Sequence, residues 1–133
     1  MEIKKVDQVI SDKRGTLIQV TSAGEWKQLN VLTRKAGSLG GGHYHRKSVE
    51  FFYVIKGKVE VKTISIQTRE VQHHTFHDND CFITLPMEQH YMKFHEDTTI
   101  AALYSEVYEG KDNDTLVDTE MPSLQNVFNA SRE

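Results

Sequence analysis

Short runs of β-branched and aromatic residues, broken by turn residues about every 6 to 12 positions, dominate most of this chain. Ile3 to Ile10 mixes apolar and charged residues as an edge strand does, and Ser11 to Gly15 (SDKRG) is turn chemistry. Thr16 to Thr21 and Lys27 to Thr33 read as strands, the second with Leu29 and Val31 on one face. Val49 to Ile55 is a strong strand, and Lys56-Gly57 turns it into a hairpin partner from Lys58 to Gln67. In that partner Val59 and Val61 share one phase while Ile64 and Ile66 share the other, which predicts a bulge near Lys62-Thr63. Val71 to Phe76, Cys81 to Leu85, His90 to Phe94 and Thr99 to Tyr108 complete a set of about nine or ten strands, so the pattern predicts an all-β sandwich or barrel.

The character changes at Gly110. Residues 1–109 read as one β-domain and 110–133 as a polar, turn-rich tail. Ser123 is placed to cap a short helix carrying Leu124, Val127 and Phe128 on one face, either docked or loosely attached. A length of 133 residues suits one core. The net charge of −3 is spread along the chain, which points away from nucleic acid and membrane as partners. The single Cys81 excludes an intrachain disulfide and reads as a small buried hydrophobe. The first ten residues lack an apolar signal core and no segment is long enough to span a bilayer, so a cytoplasmic location is expected.

The candidate chemistry is concentrated in GSLGGGHYHRKSVEFFYVIKG, from Gly37 to Gly57. Residues i and i+2 of a strand share a face, so His43 and His45 point together and Tyr44 points away. Glu50 lies in an otherwise apolar strand, where an inward carboxylate needs a cation. Two imidazoles and a carboxylate that converge make a first-row transition-metal site. A second cluster, His73, His74 and His77, has no spacing that converges three rings and reads as a solvated strand face.

The run resembles the first signature of the cupin superfamily, G(x)5HxH(x)4E(x)6G, through Gly37, His43, His45, Glu50 and Gly57. NDCFITLPMEQHYMKF resembles the second, G(x)5PxG(x)2H(x)3N, with Asn79 at the first glycine, Leu85 at the proline, Met87 at the second glycine, His90 at the histidine and Phe94 at the asparagine. The resemblance implies a double-stranded β-helix, or jelly roll. It also implies one divalent transition metal per chain (zinc, nickel, manganese or iron) held by His43, His45, Glu50 and His90.

A narrower resemblance rests on ISDKRGTLIQV near the start, GGHYHRKSVEFFYVIKG, and the ending SEVYEGKDNDT from Ser105 to Thr115. These are similar to cupins acting on nucleotide sugars: the 4-keto-sugar 3,4-ketoisomerases, the 3,5-epimerases and the C-terminal cupin domain of capsular-polysaccharide UDP-sugar reductases. They imply proton abstraction next to the ketone of a nucleoside-diphosphate sugar, in a homodimer. Without metal, His43 and His45 are the catalytic candidates. With metal, the base or proton donor comes from elsewhere, and Tyr44 and Tyr91 are candidates within a set of tyrosines that also includes Tyr53, Tyr104 and Tyr108. Arg14, Arg34, Arg46 and Lys47 are candidates for the diphosphate. The alternatives are an Fe(II)-dependent dioxygenase and a non-catalytic small-ligand-binding cupin, since one fold hosts many chemistries.

Overall fold

The computed structural model describes residues 1–110 and 114–130; the part of the SEVYEGKDNDT ending at 111–113 and the last three tail residues lie outside the described residues. Twelve strands and one helical turn follow in order: β1 (Glu2–Lys4), β2 (Gln8–Asp12), β3 (Gly15–Gln19), β4 (Gln28–Arg34), β5 (Leu39–His45), β6 (Glu50–Lys56), β7 (Lys58–Ser65), β8 (Val71–His77), β9 (Cys81–Thr84), β10 (Glu88–Phe94), β11 (Thr98–Tyr104), β12 (Thr115–Leu116) and α1 (Val127–Ala130). One five-stranded sheet runs β1-β9-β6-β11-β4 and another β12-β5-β10-β7-β8. All their pairings are antiparallel. The all-β jelly roll expected from the sequence is therefore the observed fold.

The two sheets enclose one apolar cluster. Phe52 and Val54 of β6, Phe82 of β9 and Ile100 and Ala102 of β11 meet Val59 and Val61 of β7, Phe76 of β8 and Met92 and Phe94 of β10. Phe82 stacks on Phe52 at 4.9 Å and on Phe76 at 4.2 Å between ring centroids, a geometry that adds to the apolar burial. Strand alternation decides what happens at the end of this core. Along β6 the inward residues run Val54, Phe52, Glu50. Along β10 they run Phe94, Met92, His90, and along β11 Ile100, Ala102, Tyr104. Three strands thus change from apolar to polar at one level, and the site begins where the core stops.

The structure departs from the sequence reading in several places. The bulge expected near Lys62-Thr63 is absent, because β7 keeps unbroken register with β8 from Lys58↔His77 to Ile64↔Val71. Val59, Val61 and Thr63 all face inward, while Ile64 is buried on the opposite face beneath Met121, Val127 and Phe128. The second apolar phase serves the C-terminal segment and needs no slip. The stretch Ile3 to Ile10 divides into β1 and β2, and β2 leaves the sheet to pair only with β3. After Tyr104 the chain leaves β11 and passes along the open end of the barrel. Leu29 and Val31 share a face of β4 as expected, but that face points outward, 64% and 65% exposed. The residues after Gly110 add β12 to the edge of β5 and lay Leu124, Val127 and Phe128 against Tyr91 and Ile64.

Candidate metal centre

β5 delivers His43 and His45 to the interior, and the β5–β10 register sets His90 directly opposite His43. The ring centroids lie 4.5 Å apart for His43–His90, 5.1 Å for His43–His45 and 5.5 Å for His45–His90. One nitrogen from each ring falls within 4.8 Å of the others. Glu50 reaches across from the facing sheet, its Oε1 2.5 Å from Nε2 of His45. His45, Glu50 and His90 are all buried. Nδ1 of His90 is buried with no hydrogen-bond partner among the described residues. Burial first, then the neighbouring His43 and His45, holds the His90 imidazole well below the ordinary histidine range, so it is neutral at physiological pH. A neutral imidazole with a buried, unsatisfied nitrogen, its ring packed against two more imidazoles, suits a divalent transition ion, which would accept a lone pair from the cluster.

A glycine makes the convergence possible. The β5–β10 register shifts between His90 and Tyr91, where His90 pairs with His43 but Tyr91 pairs with Gly41. Gly41 sits at φ 83°, and a Cβ there would come within 2.5 Å of the His90 carbonyl oxygen. Only a residue without a side chain fits that bulge.

Beside the cluster lies a cavity of about 270 Å³ whose walls include Arg34, Tyr104, Glu106, Tyr108 and Asp114. Burial, and then the Glu50 carboxylate, pushes Tyr104 up to about 12, against the opposing effect of a hydrogen bond with Asn30, so its phenol keeps its proton.

Of the residues anticipated from sequence, His43, His45, Glu50 and Arg34 line this cavity, and His90 joins them through the histidine cluster behind it. Tyr44 lies on the other face of β5, opposite Leu116. Tyr91 is buried behind the sheet, donating its O–H to the Pro122 carbonyl at 2.8 Å and accepting from Gln89 Nε2 at 2.7 Å. Arg14 is paired with Asp12 at the tip of the β2–β3 hairpin, its side chain 85% exposed. Arg46 and Lys47 are exposed and outside the described lining of the cavity. His73, His74 and His77 are exposed on β8; Nε2 of His73 lies 2.6 Å from Glu60, whose other oxygen lies 2.7 Å from His95. Both glycine positions of the degraded second motif keep its backbone: Asn79 has φ 70° and Met87 φ 62°. The wall residues Ser48, Glu106, Asp114 and Thr115 fall within segments that carried the sequence resemblance but were not singled out as site residues.

Two antiparallel five-stranded sheets closed around an apolar core, with three histidines and a glutamate gathered at the open end, define a cupin barrel. A family model described as "Polysaccharide biosynthesis C-terminal domain" matches residues 10–116, and the chain belongs to that family. Over 58 residues it is 38% identical to a UDP-2-acetamido-2,6-beta-L-arabino-hexul-4-ose reductase from Pseudomonas aeruginosa, a match covering 44% of this chain and 16% of the reductase. The barrel superposes on a 3,4-ketoisomerase from Helicobacter canadensis with a TM-score of 0.72 at 18% identity, covering 90% of this chain and 91% of that one. For QdtA, a sugar 3,4-ketoisomerase from Thermoanaerobacterium thermosaccharolyticum in complex with TDP, the values are 0.70 and 19%, covering 98% and 93%. For the capsular polysaccharide assembling protein CapF from Staphylococcus aureus they are 0.62 and 18%, covering 83% of this chain and 32% of CapF. The chain thus spans about a sixth of the reductase and a third of CapF. At these identities the structural likeness establishes the fold. No helix among the described residues is long and apolar enough to cross a membrane.

Proposed function

We propose that this protein is a metal-dependent cupin that moves a proton next to the ketone of a 4-keto nucleoside-diphosphate sugar, as an epimerase or ketoisomerase in polysaccharide biosynthesis. The observation that carries this reading is the cluster of His43, His45, His90 and Glu50, three of which (His43, His45 and Glu50) line a cavity that also holds a protonated tyrosine. The family's description and the names of its relatives, a 4-ulose reductase and two 3,4-ketoisomerases, support the substrate class.

The four cluster residues are the ligands. Lewis-acid polarisation of a carbonyl is the chemistry such an ion supplies when bound. Ligated imidazoles are not free bases, so proton transfer falls to the cavity wall. Tyr104, neutral at physiological pH, donates a proton or a hydrogen bond to the developing oxyanion. Glu106 lines the cavity outside the ligand set, with Oε2 accepting from Lys27 Nζ at 3.1 Å, and is the carboxylate assigned to accept the proton through its other oxygen. Asp114 is less suited to that role, because its two oxygens receive the backbone N–H groups of Arg46, Lys47 and Ser48. Arg34 offers the cation for the diphosphate.

A second reading rests on the 2.5 Å contact between His45 and Glu50: without metal, the pair holds one proton between Nε2 and the carboxylate and exchanges protons with the substrate as a unit. One experiment separates the readings. The protein is assayed for metal content, then incubated with dTDP-, UDP- and GDP-linked 4-keto-6-deoxy sugars in deuterated water, with and without chelator. Deuterium gained beside the ketone, lost on chelation and restored by metal, is the expected result. Exchange that resists chelation but is lost in His45→Gln supports the dyad. Oxygen consumption dependent on Fe(II) supports a dioxygenase. Neither exchange nor thermal protection by any nucleotide sugar would overturn both sugar readings.

We also propose that the working form is a homodimer. The β2–β3 hairpin stands apart from both sheets and exposes Val9, Ile10 and Leu17, and a lone two-stranded hairpin is marginal in water. On the outer face of the first sheet, the rows Leu29–Leu103–Phe51 and Val31–Ala101–Tyr53 run across three strands to the open edge at β4. A second copy supplies a matching apolar surface to each.

A further inference from the structure

The two ligands His45 and Glu50 are joined by a loop of four residues whose backbone N–H groups have no sheet partner and are all taken by one region of the chain. Oδ1 of Asp114 accepts from Arg46 at 2.9 Å and from Lys47 at 2.8 Å, and its Oδ2 accepts from Ser48 at 3.0 Å. Oγ of Ser105 accepts from Val49 at 2.8 Å. The same segment meets the His45 ring from behind. Nε2 of His45 faces Glu50 and the histidine cluster, whereas Nδ1 lies 3.3 Å from Oγ1 of Thr115 and 3.8 Å from Oδ2 of Asp114. Thr115 is held there by strand register, as the β12 partner of His45 itself.

We propose that Asp114 and Thr115 are positioning residues of the metal centre, an inference that rests on the metal-dependent reading above. Thr115, with the Asp114 carboxylate behind it, keeps the proton of His45 on Nδ1 and so presents the Nε2 lone pair to the ion. Asp114 also fixes the loop that sets the distance between two of the four ligands. An outer partner that orients a ligating imidazole typically contributes 10- to 100-fold in metal affinity. Their contacts with His45 are made to Nδ1, the nitrogen away from Glu50. Thr115 lies on β12 at the edge of its sheet and Asp114 immediately precedes it, and the segment that follows is secured by the burial of Met121, Val127 and Phe128. The C-terminal segment is therefore part of the metal site's frame.

The test measures Zn(II) affinity by competition with a chromophoric chelator, and the visible spectrum of the Co(II)-loaded protein, for the full chain and for Thr115→Val, Thr115→Ser and Asp114→Asn. The expected result is a roughly 10-fold or greater loss of affinity and an altered cobalt spectrum in Thr115→Val, recovery to near wild type in Thr115→Ser, and about a 100-fold loss in Asp114→Asn. The metal-free melting curve of Thr115→Val should match wild type, which separates loss of a ligand's orientation from loss of the fold. Affinities within about threefold of wild type in both Thr115→Val and Asp114→Asn, with unchanged cobalt spectra, would overturn this inference and leave the metal reading intact. A wild-type protein that binds neither ion would overturn both.

Discussion

Three consecutive glycines in β5 meet different surroundings, and replacing each with alanine gives a graded prediction. Gly40 has no left-handed φ, and an added Cβ would touch the Phe94 ring at an ordinary 3.5 Å. Gly42 has φ 80°, and its Cβ would meet Leu124 at 3.4 Å. Gly41 has φ 83°, and its Cβ would meet the His90 carbonyl oxygen at 2.5 Å and His90 Cδ2 at 3.3 Å. A left-handed alanine costs about 1–2 kcal/mol. A forced backbone displacement adds about 1–3 kcal/mol. Gly41→Ala is therefore expected to cost about 3 kcal/mol, Gly42→Ala about 1–2, and Gly40→Ala less than about 0.5. With an unfolding entropy of about 2.1 cal/mol/K per residue, these correspond to Tm losses of about 10 °C, about 5 °C and under about 2 °C. The assay is thermal unfolding of the metal-free proteins, followed by Zn(II) titration. Only Gly41→Ala should also weaken metal binding, because the strand that must give way carries His90. If Gly41→Ala and Gly42→Ala melt together, or if Gly41→Ala binds metal as tightly as wild type, the close approach of β5 to β10 does not set the ligand geometry and the reasoning fails.

Met87 holds φ 62° with a side chain that joins neither apolar cluster described above. Met87→Gly should relieve the strain at a smaller entropic cost and raise Tm by about 2–4 °C, read by the same unfolding experiment; a lower Tm would show that the thioether packs more usefully than the geometry indicates. Light scattering at micromolar concentration should give twice the chain mass, and Leu29→Glu combined with Val31→Glu should halve it; a wild-type monomer would overturn the proposed dimer.

What the sequence disclosed follows from how local each feature is. His43, His45 and Glu50 sit on two strands joined by a short loop, so strand parity and spacing alone place them. Parity also separates His90 from Tyr91: once the histidine faces inward, the next residue faces out, and Tyr91 indeed bonds Pro122 behind the sheet. The same rule turns Tyr44 away between two inward histidines. Asn79 keeps its left-handed turn because its short polar side chain tolerates it. Features that depend on distant chain were not legible. Ile64 looked like a slipped register because the residues that cover it, Met121, Val127 and Phe128, lie far downstream. Arg46 and Lys47 directly follow His45 in sequence, yet their loop turns outward and gives its amides to Asp114. Asp114 itself stands in a polar stretch with no periodicity, so although the SEVYEGKDNDT ending carries a family resemblance, its pattern does not single out Asp114 from the polar residues around it.

The change from apolar to polar along β6, β10 and β11 has an evolutionary consequence. The stack of Phe52, Phe82 and Phe76 lies deeper in the barrel, and Glu50, His90 and Tyr104 take the inward positions where the apolar run of each strand ends. Substitutions at 50, 90 or 104 exchange chemistry without opening a void among the rings that hold the sheets together. A lineage built this way can abandon one reaction for another while remaining foldable at each step. A mutant library confined to 43, 45, 50, 90 and 104 should therefore keep a high fraction of folded members while sampling the reactivity of the open end.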